Sequence, residues 1–250
     1  MKLKTEICKN KANFLVSTQS PNEISSKLIS EIDILDLKDP SNGSIGSWEY
    51  NKINKVVKIL KNKIKISATL GDIYDNKKFK EKLNRIDQLN LDFIKFGLLS
   101  KNYKNLFEKL RLVSQEKYRT KLVAVIFVDH KKAFDLVCRD LQVFENSKIN
   151  YLLLDTFKKD SGCLLDFCNI SFLKNFIIKC NNYKIKVGLA GGIKESQVPL
   201  ILSLNPDIVG FRSAVCQFNK RESSIKFEKI KKISSYFNSF NSNAIARAGT

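Results

Sequence analysis

Eight short apolar runs, each bounded by polar segments, constrain most strongly what this chain can fold into. They are Phe14–Ser17, Ile32–Leu37, Ile64–Thr69, Phe93–Leu98, Leu122–Val128, Tyr151–Leu154, Lys186–Ala190 and Ile208–Phe211. Each has strand length and is rich in β-branched residues or leucine, the pattern of a buried strand. The stretches between them carry helix-like spacing. Pro21–Ser30 places Ile24, Leu28 and Ile29 on one face, and Asn51–Leu60 does the same with Ile53, Val56, Val57 and Leu60. Lys104–Leu112 and Lys132–Phe144 read similarly. Eight strands alternating with helices, at roughly 20 to 35 residues per unit, is the arithmetic of a (β/α)8 barrel. The expected fold class is therefore α/β, a single (β/α)8 TIM barrel. An open doubly wound sheet fits the count less well.

No internal linker interrupts this pattern, so residues 14–236 are expected to form one catalytic barrel. Residues 1–13 read as a basic extension, and residues 237–250, rich in Asn and Ser, as a polar tail.

Lys and Arg number 44 against 25 Asp and Glu, a formal net charge of +19. The lysines are dispersed among Asn and Ile, with no dense basic block interleaved with aromatics, so nucleic acid is not the expected partner. The six cysteines contain no CxxC pair, and one histidine, His130, is too few for a Cys/His zinc site. Reduced thiols, the lack of a signal-peptide core at the start and the lack of any run of transmembrane length give a cytoplasmic, membrane-free expectation.

Two lysines carry the functional signal. Lys38 ends Ile32-Asp-Ile-Leu-Asp-Leu-Lys38, and Lys95 lies in Leu91-Asp-Phe-Ile-Lys-Phe-Gly97. An ammonium group at the end of a buried strand is costly unless paired. Burial also favours the neutral amine, which is a nucleophile and a base. In a barrel, reactive groups sit at the C-terminal ends of the strands. Those ends bear Asp36 and Lys38, Asp72, Lys95, Asp129, Asp155, Gly191-Gly192 and Gly210-Phe-Arg212. Asp36 and Lys38 are two apart and so face the same side, a carboxylate beside an amine. Gly191, Gly192, Gly210 and Arg212 follow the seventh and eighth runs, where barrels often bind phosphate.

Taken together, these segments resemble the (5-formylfuran-3-yl)methyl phosphate synthase family of methanofuran biosynthesis. The stretches that carry the resemblance run through nearly the whole chain. They include Asp36-Leu-Lys-Asp-Pro-Ser-Asn-Gly-Ser-Ile-Gly46, Ser67-Ala-Thr-Leu-Gly-Asp72, Asp92-Phe-Ile-Lys-Phe-Gly97, Asp155-Thr-Phe-Lys-Lys-Asp160 and Asp207-Ile-Val-Gly-Phe-Arg-Ser-Ala-Val-Cys216. The first is the most specific. The resemblance implies a lyase that joins two glyceraldehyde 3-phosphate molecules into a phosphorylated furan aldehyde. It implies Lys38 as the Schiff-base residue and Lys95 as a proton acceptor, with Asp36, Asp155 and Lys159 among the active-site polar groups. No metal or organic cofactor is required by such chemistry, and barrels of this kind commonly form homo-oligomers. Two other readings compete: another Schiff-base sugar-phosphate aldolase, and a non-catalytic basic protein that binds nucleic acid.

Overall fold

The eight runs hydrogen-bond into one closed, wholly parallel barrel in sequential order, β1 to β8. The strands are β1 (Asn13–Thr18), β2 (Ile34–Leu37), β3 (Lys65–Thr69), β4 (Phe93–Gly97), β5 (Lys121–Phe127), β6 (Tyr151–Asp155), β7 (Lys186–Leu189) and β8 (Ile208–Phe211). β8 pairs with β1 through Asn13 opposite Ile208 and Val16 opposite Phe211, which closes the ring. The computed structural model describes residues 11–98, 103–147, 149–158 and 160–248. Closure settles the choice between barrel and open sheet in favour of the barrel.

Alternation along each strand sorts the side chains into two cores. Outward residues such as Val16, Leu35, Leu37, Ile94, Phe96, Leu152 and Leu154 pack beneath the helices. Inward residues Leu15, Ile34, Phe93, Val123, Val125, Phe127, Leu153 and Ile208 fill the barrel axis. At the N-terminal end Phe93 meets Tyr151 edge to face, 5.3 Å between centroids. Lys121 and Lys186 lie over these two rings at 5.7 and 5.8 Å.

A repeated aspartate fixes register at that same end. Asp33, Asp92 and Asp207 each precede an even-numbered strand or its first turn of chain. Their carboxylates accept from the backbone N–H of Phe14, Ile66 and Val187 at 2.9, 2.9 and 2.8 Å. Each aspartate's own N–H donates to the carbonyl of that same residue. A slip of one residue would turn the inward lysines outward, so these clasps bear directly on the site above.

The helices depart from expectation in instructive ways. Pro21–Ser30 is divided into a 3-10 turn (Pro21–Glu23) and the short α1 (Ser26–Ile29), because Ser25 intervenes as N-cap and accepts from Leu28 N–H. α2 (Tyr50–Leu60) and α4 (Tyr103–Ser114) follow the expected spacing. Lys132–Phe144 is two helices, α5 (Lys131–Arg139) and α6 (Gln142–Asn146), separated at Asp140, whose backbone is non-helical. α3 (Asn76–Asp87), α7 (Leu164–Phe167), α8 (Ile170–Asn182) and α9 (Val198–Ser203) complete the outer ring before the last helix.

Of the polar tail expected at 237–250, residues 237–248 form the second half of α10 (Phe227–Ala248), and residues 249–250 lie outside the described residues. Ile230, Ile233 and Phe237 bury its inner edge. Phe237 stacks on Phe14 at 4.8 Å and meets Phe211 at 6.3 Å, sealing the β1/β8 seam. Asn241 then donates to the Ala12 carbonyl and accepts from its N–H. Asn238, Ser239, Ser242 and Asn243 are exposed on the outer face, which is why composition alone suggested a tail. Among the described residues no helix is long and apolar enough to cross a membrane.

Phe237→Ala should lower unfolding free energy by about 3–5 kcal/mol, the usual cost of deleting a buried phenyl ring. Denaturant unfolding checks this, and a loss below about 1 kcal/mol would return the segment to the status of a tail.

Candidate active site

The inward positions near the C-terminal ends of β1, β2 and β3 place Ser17, Asp36 and Ser67 side by side in register. Across the next strand boundary Lys95 joins them. Its Nζ lies 2.6 Å from Asp36 Oδ2, and the Ser17 hydroxyl donates to the same oxygen at 2.6 Å. The Asp36 and Lys95 side chains are only 0% and 5% exposed, so the pair is withdrawn from water. Asp36 Oδ1 and the Ser67 hydroxyl have no hydrogen-bond partner among the described residues. Asp36 therefore keeps one carboxylate oxygen able to accept a further proton or hydrogen bond.

Lys38 lies just beyond β2, one pleat above Asp36, with its N–H bonded to the Thr18 carbonyl. Its Nζ reaches across the barrel to Asp155 Oδ2 at 3.4 Å. Asp155 closes β6, and its Oδ1 accepts from the following N–H of Thr156 at 2.7 Å. The two lysines thus pair crosswise. Asp36 and Lys38 do share a face as the spacing requires, but the carboxylate beside Lys38 is Asp155, while Asp36 serves Lys95. The looser, more exposed amine is Lys38. Burial lowers the pKa of Lys95; Asp36 opposes that shift and Lys38 adds to it.

Lys38, Lys95 and Asp155 open into a narrow cleft of about 50 Å3, walled by Gly191, Gly192, Gly210, Arg212, Ser213 and Arg221. Gly210 brings the β8 backbone close: a Cβ there would stand 3.3 Å from Leu15 and 3.4 Å from Ala190. Gly191, at a φ of +96°, turns the chain so that its carbonyl accepts from Leu164 N–H at 2.7 Å. Among the described residues no acceptor is found for the N–H groups of Gly192 and Ser213, which border the cleft. Lys159 lies outside the described residues.

Arg212 differs from expectation. Its Nε donates to Arg221 O, one terminal nitrogen to Ser17 O and Glu23, and the other to Glu23 and Ser223 O. All five N–H donors are engaged within the protein. The guanidinium ties the β8 loop to β1, and has no donor left for a phosphate.

The loop after β2 is equally well fixed. Asp39 accepts from Ser41 N–H, the Ser41 hydroxyl and the Asn42 amide at 2.9, 2.7 and 2.7 Å. Asp72 accepts from Ser44 N–H at 3.0 Å, so this rim aspartate anchors a loop. A Cβ on Gly46 would fall 2.1 Å from the Asp39 carbonyl, which explains a glycine there. Asp129, likewise, accepts from the N–H groups of Phe157 and Lys158 at 2.7 Å each. His130 stacks edge to face on Phe157 and takes no part in the cleft.

Ser17 and Ser67 were not among the expected site residues, although their inward phase beside Asp36 is legible once the barrel is assumed. Arg221 had no such signal, lying ten positions beyond the last strand. Among the described residues no group of three or more His, Cys, Asp or Glu side chains is placed to hold a metal ion.

Fold and site together define a (β/α)8 barrel with a two-lysine, two-carboxylate centre at its C-terminal mouth. The family model described as 4-HFC-P synthase matches residues 14–234, and the chain belongs to that family. A (5-formylfuran-3-yl)methyl phosphate synthase from Archaeoglobus fulgidus is 30% identical over 233 residues, covering 88% of this chain and 96% of its own. The Methanococcus aeolicus protein of the same name is 28% identical over 227 residues, covering 88% and 97%. Among solved structures, phosphoribosyl anthranilate isomerase from Thermus thermophilus superposes with a TM-score of 0.62 at 13% identity, covering 91% of this chain and 98% of its own. 3-hexulose-6-phosphate synthase from Salmonella typhimurium gives 0.62 at 14%, covering 91% and 99%. These last two likenesses are of fold.

Asp36→Asn and Lys95→Met should each cost about 3–5 kcal/mol, since each leaves the other group buried without its counter-charge. The double variant should be more stable than the sum of the two losses predicts, by at least about 1 kcal/mol. Strict additivity in denaturant unfolding would contradict the pairing.

Proposed function

We propose that this chain condenses two molecules of glyceraldehyde 3-phosphate into (5-formylfuran-3-yl)methyl phosphate, releasing one phosphate and two waters. The observation that carries the reading is the crossed pairing of two buried lysines with two carboxylates, in a chain of this family. The names of the relatives support a synthesis of that compound. The condensation itself is our reading.

In this account Lys38 is the nucleophile. Its amine faces the cleft, and Asp155 at 3.4 Å accepts the proton that the ammonium gives up. Attack on the aldehyde carbon and loss of water leave an iminium, which acidifies the neighbouring C–H. Lys95, in its neutral form, takes that proton and becomes the ammonium that Asp36 stabilises. The resulting enamine carries its electron pair to the second aldehyde or expels phosphate. Asp36, with an unpartnered oxygen, and Asp155 supply and collect protons during the dehydrations. Hydrolysis of the final iminium frees Lys38.

The pH dependence follows from the protonation state. A base must be unprotonated, and the Lys95 pKa lies below its usual value. The Lys95-dependent step should therefore accelerate as pH rises and level off before the ordinary lysine range is reached. Lys95→Arg, which stays protonated, should lose at least about 100-fold in turnover, the usual worth of a positioned base. Lys38→Ala should lose all product formation while its unfolding transition persists.

Incubation with glyceraldehyde 3-phosphate, with phosphate release and a conjugated furan aldehyde measured together, tests the proposal. One phosphate per furan is expected. Phosphate release without a furan, or reversible cleavage of a sugar phosphate, would overturn it.

A further inference from the structure

The segment leaving β8 carries two arginines with different duties. Arg212, with every donor engaged, holds the carbonyl of Arg221 at 2.6 Å. Arg221 sends its own side chain across the barrel mouth to the loop after β2. There one terminal nitrogen donates to the carbonyls of Pro40 and Gly43, the latter at 2.9 Å. The other terminal nitrogen and Nε have no acceptor among the described residues, and the side chain lines the cleft shared with Lys38, Lys95 and Asp155. Burial disfavours its charge, and Asp155 partly offsets that cost. A guanidinium fastened by one nitrogen, with its remaining N–H groups unengaged beside a cleft, is prepared for an anion. Among the described residues no carboxylate is hydrogen-bonded to it, so a ligand need not displace one.

We propose that Arg221 is the phosphate-binding residue of this cleft, holding the phosphate of the triose whose aldehyde reacts at Lys38, and that Arg212 is a positioning residue which sets the Arg221 backbone. This deepens, and for its substrate rests on, the condensation proposed above. It moves the cation expected at Arg212 to a residue nine positions later. Because Arg221 also fastens the β2 loop, phosphate binding and the placement of Lys38 are joined through one side chain.

Titration calorimetry with inorganic phosphate, on the wild-type chain and on Arg221→Gln, tests the site without any covalent step. Loss of a charged hydrogen-bond donor set predicts about 10- to 100-fold weaker phosphate binding. Borohydride trapping then compares glyceraldehyde 3-phosphate with glyceraldehyde. The half-saturating concentration should rise by about the same factor for the phosphorylated aldehyde and stay within about twofold for the other. Equal phosphate binding by both proteins, or an equal rise for both aldehydes, overturns the proposal and leaves Arg221 as a loop clamp. If Arg221→Gln does not fold, Arg221→Lys serves, since one ammonium cannot hold both the carbonyls and the ligand. At least about fivefold weaker phosphate binding is then expected, and wild-type affinity overturns the proposal. Arg221-dependent phosphate binding in a protein that traps no aldehyde would uphold the anion site and refute the condensation.

Discussion

Two ammonium groups inside a barrel are tolerable only because two carboxylates meet them there. Charge withdrawn from water costs several kcal/mol unless it is compensated nearby. Here the compensation comes from strands far apart in sequence: Asp36 for Lys95, Asp155 for Lys38. Closure of the sheet brings them together, so the site and the fold share one condition. The crosswise arrangement also divides labour. Lys95 and Asp36 form a tight, hydroxyl-supported pair near the floor, whereas Lys38 and Asp155 form a looser one at the cleft.

The rest of the barrel serves that condition. Its lower interior is apolar, closed beneath by Phe93 and Tyr151, and low-dielectric surroundings strengthen every charge interaction above it. Asp33, Asp92 and Asp207 fix register at the opposite end, where a slip would reverse each inward residue. At the mouth, Arg212 and Asp72 hold the loops after β8 and β2 by hydrogen bonds that leave little freedom. Catalysis by positioned groups depends on such support, because small misplacements are costly.

Much of this was legible in the sequence. Strands buried on both faces read as continuous apolar runs, so all eight were located, with Ile32–Leu37 shortened to Ile34–Leu37. The lysines stood out because a charge interrupts such runs only for cause. The helices were less legible. α3 shows only Phe79, Leu83 and Ile86 among charged residues, and α10 hides Phe237 among Asn and Ser. Partner choice was not legible at all. Spacing places Asp36 and Lys38 on one face, yet strand stagger in the closed barrel decides which carboxylate each amine reaches. Arg212 was identified as a cation near the expected phosphate loops, but its engagement by Glu23 depends on a 3-10 turn from the first crossover.

In the proposed mechanism Lys38, and not Lys95, bonds covalently to substrate. The direct measurement is reduction with borohydride in the presence of glyceraldehyde 3-phosphate, followed by peptide mass spectrometry. A single triose-derived adduct on Lys38, absent in Lys38→Ala, is the predicted result. An adduct on Lys95, or none on folded wild-type protein, would contradict it.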